Sequence, residues 1–87
     1  MDKKLEKVLV CLYVPAVNRT FDIFVPLDLE IGELTKVLVN GVEYMCNGSY
    51  VPSKKEILNL QDPDVLLNPY SNLYSYGVKD GAKLVLI

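Results

Sequence analysis

The sequence predicts an α+β domain in which one long helix packs on one face of a mixed sheet of four to five strands. Three observations predict it. Two segments rich in Val, Leu, Tyr and Phe, Glu6–Val14 and Thr20–Val25, flank a short run of turn residues. Ile31, Leu34, Leu38, Val42 and Met45 recur at spacings of three and four, the period of one helix face. The last third returns to short apolar segments between turn residues and ends on Lys83–Ile87.

The elements follow in order. Pro15–Arg19 carries Pro and Asn and joins the first two strands as a hairpin loop of about five residues. Pro26 ends the second strand because it has no N–H to donate. The helix begins near Ile31 and stops at Asn47-Gly48, both of which tolerate the left-handed C-cap conformation. Gly32 and Gly41 each weaken it by roughly 1 kcal/mol against Ala, so tertiary packing has to make up the difference. Ser49–Lys55 reads as a loop, Glu56–Leu60 as a short strand, Asp62-Pro63-Asp64 as a turn and Val65–Leu67 as one more short strand. Leu73–Tyr76 reads as a helical turn ended by Gly77, and Asp80-Gly81 as a turn before the closing strand. The first and last strands should lie parallel at the sheet centre, because the long connection between them permits a crossover. The spatial order is then second, first, last, third, which is the β-grasp arrangement.

Length and composition bound the function. The chain has 87 residues, 51% hydrophobic and 23% charged, enough for one packed core and so for a single domain over 1–87, with residues 1–6 frayed. Nine basic and eleven acidic residues leave a net charge of -2, which gives no footprint for nucleic acid. Lys3, Lys4 and Lys7 are interrupted by Asp2 and Glu6. No apolar run has the length of a membrane span, and the N-terminus lacks an apolar signal segment, so direct membrane insertion is not expected and a cytoplasmic location is.

The segment from Leu67 to Leu86 resembles ubiquitin: a Leu, a turn, Leu73-x-x-Tyr76, aliphatic Val78, the Asp80-Gly81 turn and a Leu-rich strand. In that superfamily the tyrosine hydroxyl ties down the short helical turn, which implies the same for Tyr76. Thr20-Phe21-Asp22-Ile23-Phe24-Val25-Pro26, followed by Ile31-Gly32-Glu33-Leu34, is similar to the EsaB/YukD family of small bacterial ubiquitin-like proteins encoded with type VII secretion systems. The resemblance runs from Lys7 to Ile87 and fits least well over Val42–Lys55, whose structure the sequence leaves open. It implies a cytosolic accessory or regulatory factor of the machinery that exports WXG-motif proteins, with a secretion-system component as a partner.

The residues themselves argue against chemistry. A ubiquitin-like modifier or sulfur carrier needs a flexible Gly-Gly tail, and this sequence ends Leu84-Val85-Leu86-Ile87. Those activities would require a tail missing here. Cys11 and Cys46 stand far apart, and the chain has no histidine to serve as a base, so both read as structural thiols. The same lack of a His or Cys cluster leaves no metal site. Asp62 and Asp64 read as turn chemistry, and Glu30 and Glu33 favour the positive end of the helix dipole. The five glycines are scattered and form no phosphate loop. Tyr70, Tyr74 and Tyr76 read as local packing, because too few basic residues accompany them for base stacking. No catalytic residue and no cofactor are therefore expected.

What remains is a surface. Strand alternation turns Val8, Val10, Leu12, Val14, Phe21, Ile23, Val25, Leu58, Leu60, Leu84 and Leu86 toward the helix. The opposite face then carries Leu9, Cys11, Tyr13, Phe24, Asn59, Val85 and Ile87, with Asp22 beside Phe24. An antiparallel hairpin facing water normally turns polar residues outward, and large adjoining apolar ones mark an interaction site. Ubiquitin binds partners with this face, but Asn59 stands where ubiquitin has the central aliphatic of its patch, which implies a different partner. A protein partner is expected there. The alternatives are a second copy in a homodimer or larger scaffold, or cover from the chain's own loop.

Overall fold

The computed structural model describes residues 6–61 and 64–87. Five strands and one helix follow in chain order: β1 (Lys7–Val14), β2 (Arg19–Pro26), α1 (Ile31–Cys46), β3 (Leu58–Gln61), β4 (Val65–Leu66) and β5 (Ala82–Leu86). They form one sheet of order β2-β1-β5-β3-β4, with β1 and β5 parallel and the other pairs antiparallel. The expected strand order is present, with β4 added outside β3. Asp62 and Pro63 of the expected turn, and residues 1–5 of the expected frayed terminus, lie outside the described residues. Glu6 is tied in, since its carbonyl accepts from Leu27 N–H at 2.9 Å.

The hairpin turn is built on Asn18. A 3-10 turn over Pro15–Val17 closes when Asn18, at φ 51°, donates its N–H to Pro15 O at 3.0 Å. Asn tolerates this left-handed geometry better than most residues. The Tyr13 hydroxyl donates to Asn18 Oδ1 at 2.9 Å and braces the turn from the strand.

The N-terminus of α1 has no side-chain cap. Its first N–H groups instead find carbonyls on the loop before the last 3-10 turn: Ile31 N–H donates to Ser71 O and Gly32 N–H to Pro69 O, each at 2.8 Å. Orphan donors at a helix start need such partners. Gly32 permits the approach, because a Cβ there would sit 3.3 Å from Pro69 O. The helix ends at Asn47, at φ 53°, whose N–H reaches Tyr44 O. One expectation on the buried face is corrected. Met45 is 44% exposed, and Cys46, four residues after Val42, is buried in its place.

The core lies between α1 and the inner sheet face. Val10, Leu12, Val14, Val25, Leu34, Val42, Leu58, Leu84 and Leu86 are all buried in it, and Val8, Ile23 and Leu60 pack against its margin. Leu73 and Val78 close one end. The Tyr76 hydroxyl accepts from Asn68 N–H at 2.9 Å and holds the Leu73–Tyr76 turn to the incoming loop. Two expectations here differ from the structure. β4 ends at Leu66, and Leu67 leaves the strand to enter the core. Tyr70 and Tyr74 point to solvent and do not pack locally.

Candidate protein-binding surface

The outer sheet face is built by register. Leu9 lies opposite Phe24, and Cys11 opposite Asp22 on one side and Lys83 on the other. Tyr13 lies opposite Thr20 and Val85, and Val85 opposite Asn59, which in turn faces Leu66. Ile57 and Ile87 exchange two backbone hydrogen bonds of 3.0 and 2.9 Å and continue the same alternation. The seven residues anticipated from the sequence therefore share one face, but they do not form one patch. The row of Asp22, Cys11, Lys83 and Gln61 crosses the sheet between Leu9/Phe24 and Tyr13/Val85. The face holds two apolar islands separated by a polar strip.

The smaller island is Leu9 with Phe24, 37% and 65% exposed. Leu9 is held by a backbone clamp, its N–H donating to Asp80 Oδ1 and its carbonyl accepting from Gly81 N–H, both at 2.8 Å. The larger island centres on Val85. That side chain is only 7% exposed, so it supplies a floor and little contact area. Around it stand half-buried Tyr13 and Asn59, and exposed Ile87, Ile57 and Leu66. Ile57 and Leu66 were not anticipated. Leu66 belongs to a strand of two residues, too short for alternation to assign it a face, whereas Ile57 stands two residues before Asn59 in the expected Glu56–Leu60 strand and the period of two does put it on this face. Asn59 Oδ1 is buried there with no hydrogen-bond partner among the described residues.

Over the edge formed by Ile57 and Leu66 the surface continues into a groove of about 940 Å³ between α1 and residues 52–58 and 66–69. Val39 and Leu58 line its apolar part, and Lys36, Glu43 and Lys54 add charged side chains. Its outer wall is shaped by one carboxylate. Glu56 Oε2 accepts from the Tyr50 hydroxyl at 2.9 Å and from Ser53 N–H at 2.7 Å, and Ser53 Oγ accepts from Lys55 N–H at 3.1 Å. Lys54 sits at φ 68° in the bend this makes. Burial pushes the Tyr50 hydroxyl up to about 12, helped by its hydrogen bond to Glu56 and by the charges of Glu56 and Glu43. Burial alone would raise Glu56, but the bonds from Ser53 and Tyr50 outweigh it and hold the carboxyl below its ordinary value. This clamp orders the segment that the sequence left open.

Cys11 is half-buried in the polar strip, and Cys46 is buried with the Arg19 guanidinium 3.8 Å from its sulfur. The same guanidinium stacks over Phe21 at 4.9 Å. Among the described residues no group of three or more His, Cys, Asp or Glu side chains could hold a metal ion, and no helix is long and apolar enough to cross a membrane.

No family profile matches the chain, and no curated protein matches it. Solved structures do. The ubiquitin-like domain of EccD5 from Mycobacterium xenopi superposes with a TM-score of 0.77 at 18% identity, over 94% of this chain and 93% of that one. The ubiquitin-like domain of the type VII secretion protein EccD1 from Mycobacterium tuberculosis gives 0.74 at 14% identity, over 95% and 99%. The ubiquitin-like domain of Dsk2 from Plasmodium falciparum gives 0.70 at 20% identity, over 93% and 96%. The chain therefore has the ubiquitin-like β-grasp fold, with one helix on a mixed five-stranded sheet.

Proposed function

We propose that this chain is a non-enzymatic accessory or regulatory protein of a bacterial type VII-like secretion system, acting in the cytoplasm by binding another protein and not by conjugation. The observation that carries the binding role is the apolar island of Tyr13, Ile57, Leu66 and Ile87 over the sunken Val85. Water-facing apolar side chains gathered this way cost solubility, and burying them against a partner recovers it. The sunken floor with a raised rim is the shape that accepts an apolar anchor from a partner. The secretion assignment draws on the similarity of Thr20–Pro26 and Ile31–Leu34 to EsaB/YukD, and on the likeness to the EccD1 and EccD5 domains. A secretion-system component is the partner this reading names.

The test has two parts. Deleting the gene should change the export or the expression of the WXG-motif proteins of the same organism; unchanged export with unchanged expression would sink the assignment. Ile57→Glu with Leu66→Glu, both at exposed side chains, should then fail to restore the wild-type phenotype while folding normally. Mass spectrometry of the protein from its native cells should show no isopeptide-linked adduct, since one would revive the modifier reading.

A further inference from the structure

We infer that the free edge of β2 takes up an extended segment of another protein as a sixth strand, with a basic side chain opposite Asp22 and an apolar one opposite Phe24. β2 is outermost in the sheet and runs for eight residues, whereas the opposite edge, β4, has two. Only a long edge offers a row of backbone groups to a new strand.

The direction of those groups follows from the ladder. Leu27 N–H bonds the Glu6 carbonyl directly across the hairpin, while Leu9 turns its N–H and carbonyl away, toward Asp80 and Gly81. Antiparallel pairs alternate, so Phe21, Ile23 and Val25 spend their backbone groups on β1. Thr20, Asp22 and Phe24 aim theirs outward. None of these three makes a backbone hydrogen bond outside the hairpin among the described residues. Pro26 has no N–H and ends the usable edge.

The side chains state the chemistry. Thr20, Asp22 and Phe24 are exposed on the outer face, and Asp22 has no ion-pair partner among the described residues. A residue placed across from Phe24 extends the Leu9–Phe24 row by one more apolar side chain. A residue across from Asp22 meets a carboxylate and is best basic. A second copy of β2 does not supply it. Antiparallel self-pairing sets outer-face residues against outer-face residues, and that face of β2 carries Thr20, Asp22, Phe24 and Pro26 with no base; Arg19 lies on the other face. The occupant is therefore a strand from a different protein. The inference rests on the reading of this chain as a binding module, and it adds a second surface to the Val85 island.

The probe is a capped peptide with a central lysine, valines two residues to either side and threonines between them, which reads the same in both directions. It is titrated into the isotopically labelled full chain and followed by amide NMR and hydrogen exchange. The expected result is new protection of the Thr20, Asp22 and Phe24 amides, with little change at Phe21 and Ile23. Replacing the central lysine by glutamate should weaken binding roughly five- to tenfold, as attraction across the pair becomes repulsion. Asp22→Lys should reverse that preference. If the peptide adds antiparallel, N-methylation of the lysine removes a donor aimed at β2 and should abolish binding, while N-methylation of a neighbouring threonine, whose N–H points to solvent, should not; if it adds parallel, the two effects exchange, and equal tolerance of both overturns strand addition. Absence of binding, equal binding of the lysine and glutamate peptides, or protection that spares residues 20, 22 and 24 overturns the proposal. Dimerisation through β2 without peptide also overturns it. Shifts confined to Tyr13, Asn59 and Leu66 overturn strand addition while leaving the binding role of the outer face standing.

Discussion

Removing the Tyr50 hydroxyl tests whether one carboxylate orders the groove wall. Tyr50 is buried, and its hydroxyl donates to Glu56 Oε2 at 2.9 Å. Tyr50→Phe keeps the ring in the core and deletes this bond. Hydrogen bonds to charged groups contribute about 1.5–3 kcal/mol. Glu56 keeps its bond from Ser53 N–H and lies partly in solvent, so the lower end, about 1.5 kcal/mol, is expected. For a domain of this size that lowers the melting temperature by roughly 6–12 °C. The pH dependence fixes the sign independently. Glu56 is held below its ordinary value of 4.5 in the folded chain, so its stabilisation is present above that pH and is lost as pH falls through the lowered value. Tyr50 is raised from 10.0 to about 12, so its contribution is complete below pH 10 and is lost as pH rises toward 12. Thermal and urea unfolding followed by circular dichroism from acid to alkaline pH measures both limbs. Tyr50→Phe should flatten the alkaline limb, Glu56→Gln should reduce the acid limb, and the double variant should lose less than the sum of the two. A Tyr50→Phe melting temperature equal to wild type, with an unchanged acid limb in Glu56→Gln, would refute the clamp.

Gly41 has nothing within 4 Å of where a Cβ would stand, so Gly41→Ala should stabilise the chain by about 0.5–1 kcal/mol in urea unfolding. Gly32→Ala should lack that gain, because its Cβ would meet Pro69 O at 3.3 Å and that carbonyl is held by the Gly32 N–H. Leu73, fully buried at the end of the core, should cost about 2–5 kcal/mol on Leu73→Ala, read as a lower urea midpoint with an unchanged slope. Leu66→Glu, at a side chain 74% exposed, should leave the melting temperature nearly unchanged while weakening any partner held by the Val85 island; a partner that instead responds to Phe24→Glu alone would place its contact on β2.

The charged strip explains why the candidate surface was only half legible. Alternation along β1 places Leu9, Cys11 and Tyr13 on one face without ambiguity, because the side-chain period of a strand is two. Whether those side chains touch others depends on which residues stand beside them on β2 and β5. That is a matter of register, and it set Asp22 and Lys83 on either side of Cys11. Val85 lies beside Tyr13 and Asn59 on the outer face yet is mostly covered, since exposure depends on the bulk of such neighbours and not on strand periodicity. Met45 and Cys46 show the same limit on a helix, where a spacing of three or four fits the pattern equally and the packed sheet decides between them.

The sequence by itself determined the architecture. Turn residues at Asn18, Asn47, Gly77 and Gly81 adopt positive φ as their chemistry favours, and apolar periods of two and about 3.6 separate strands from helix. These are local effects, set within a few residues of chain. Tertiary structure decided the division of the outer face, the docking of the α1 N-terminus onto Pro69 and Ser71, the groove beside Ile57 and Leu66, and the Glu56 clamp that walls it. Most of these join segments distant in sequence; the clamp, though local, lies in a stretch with no period to read. Their geometry depends on register and on which backbone donors remain unpaired once the core has closed.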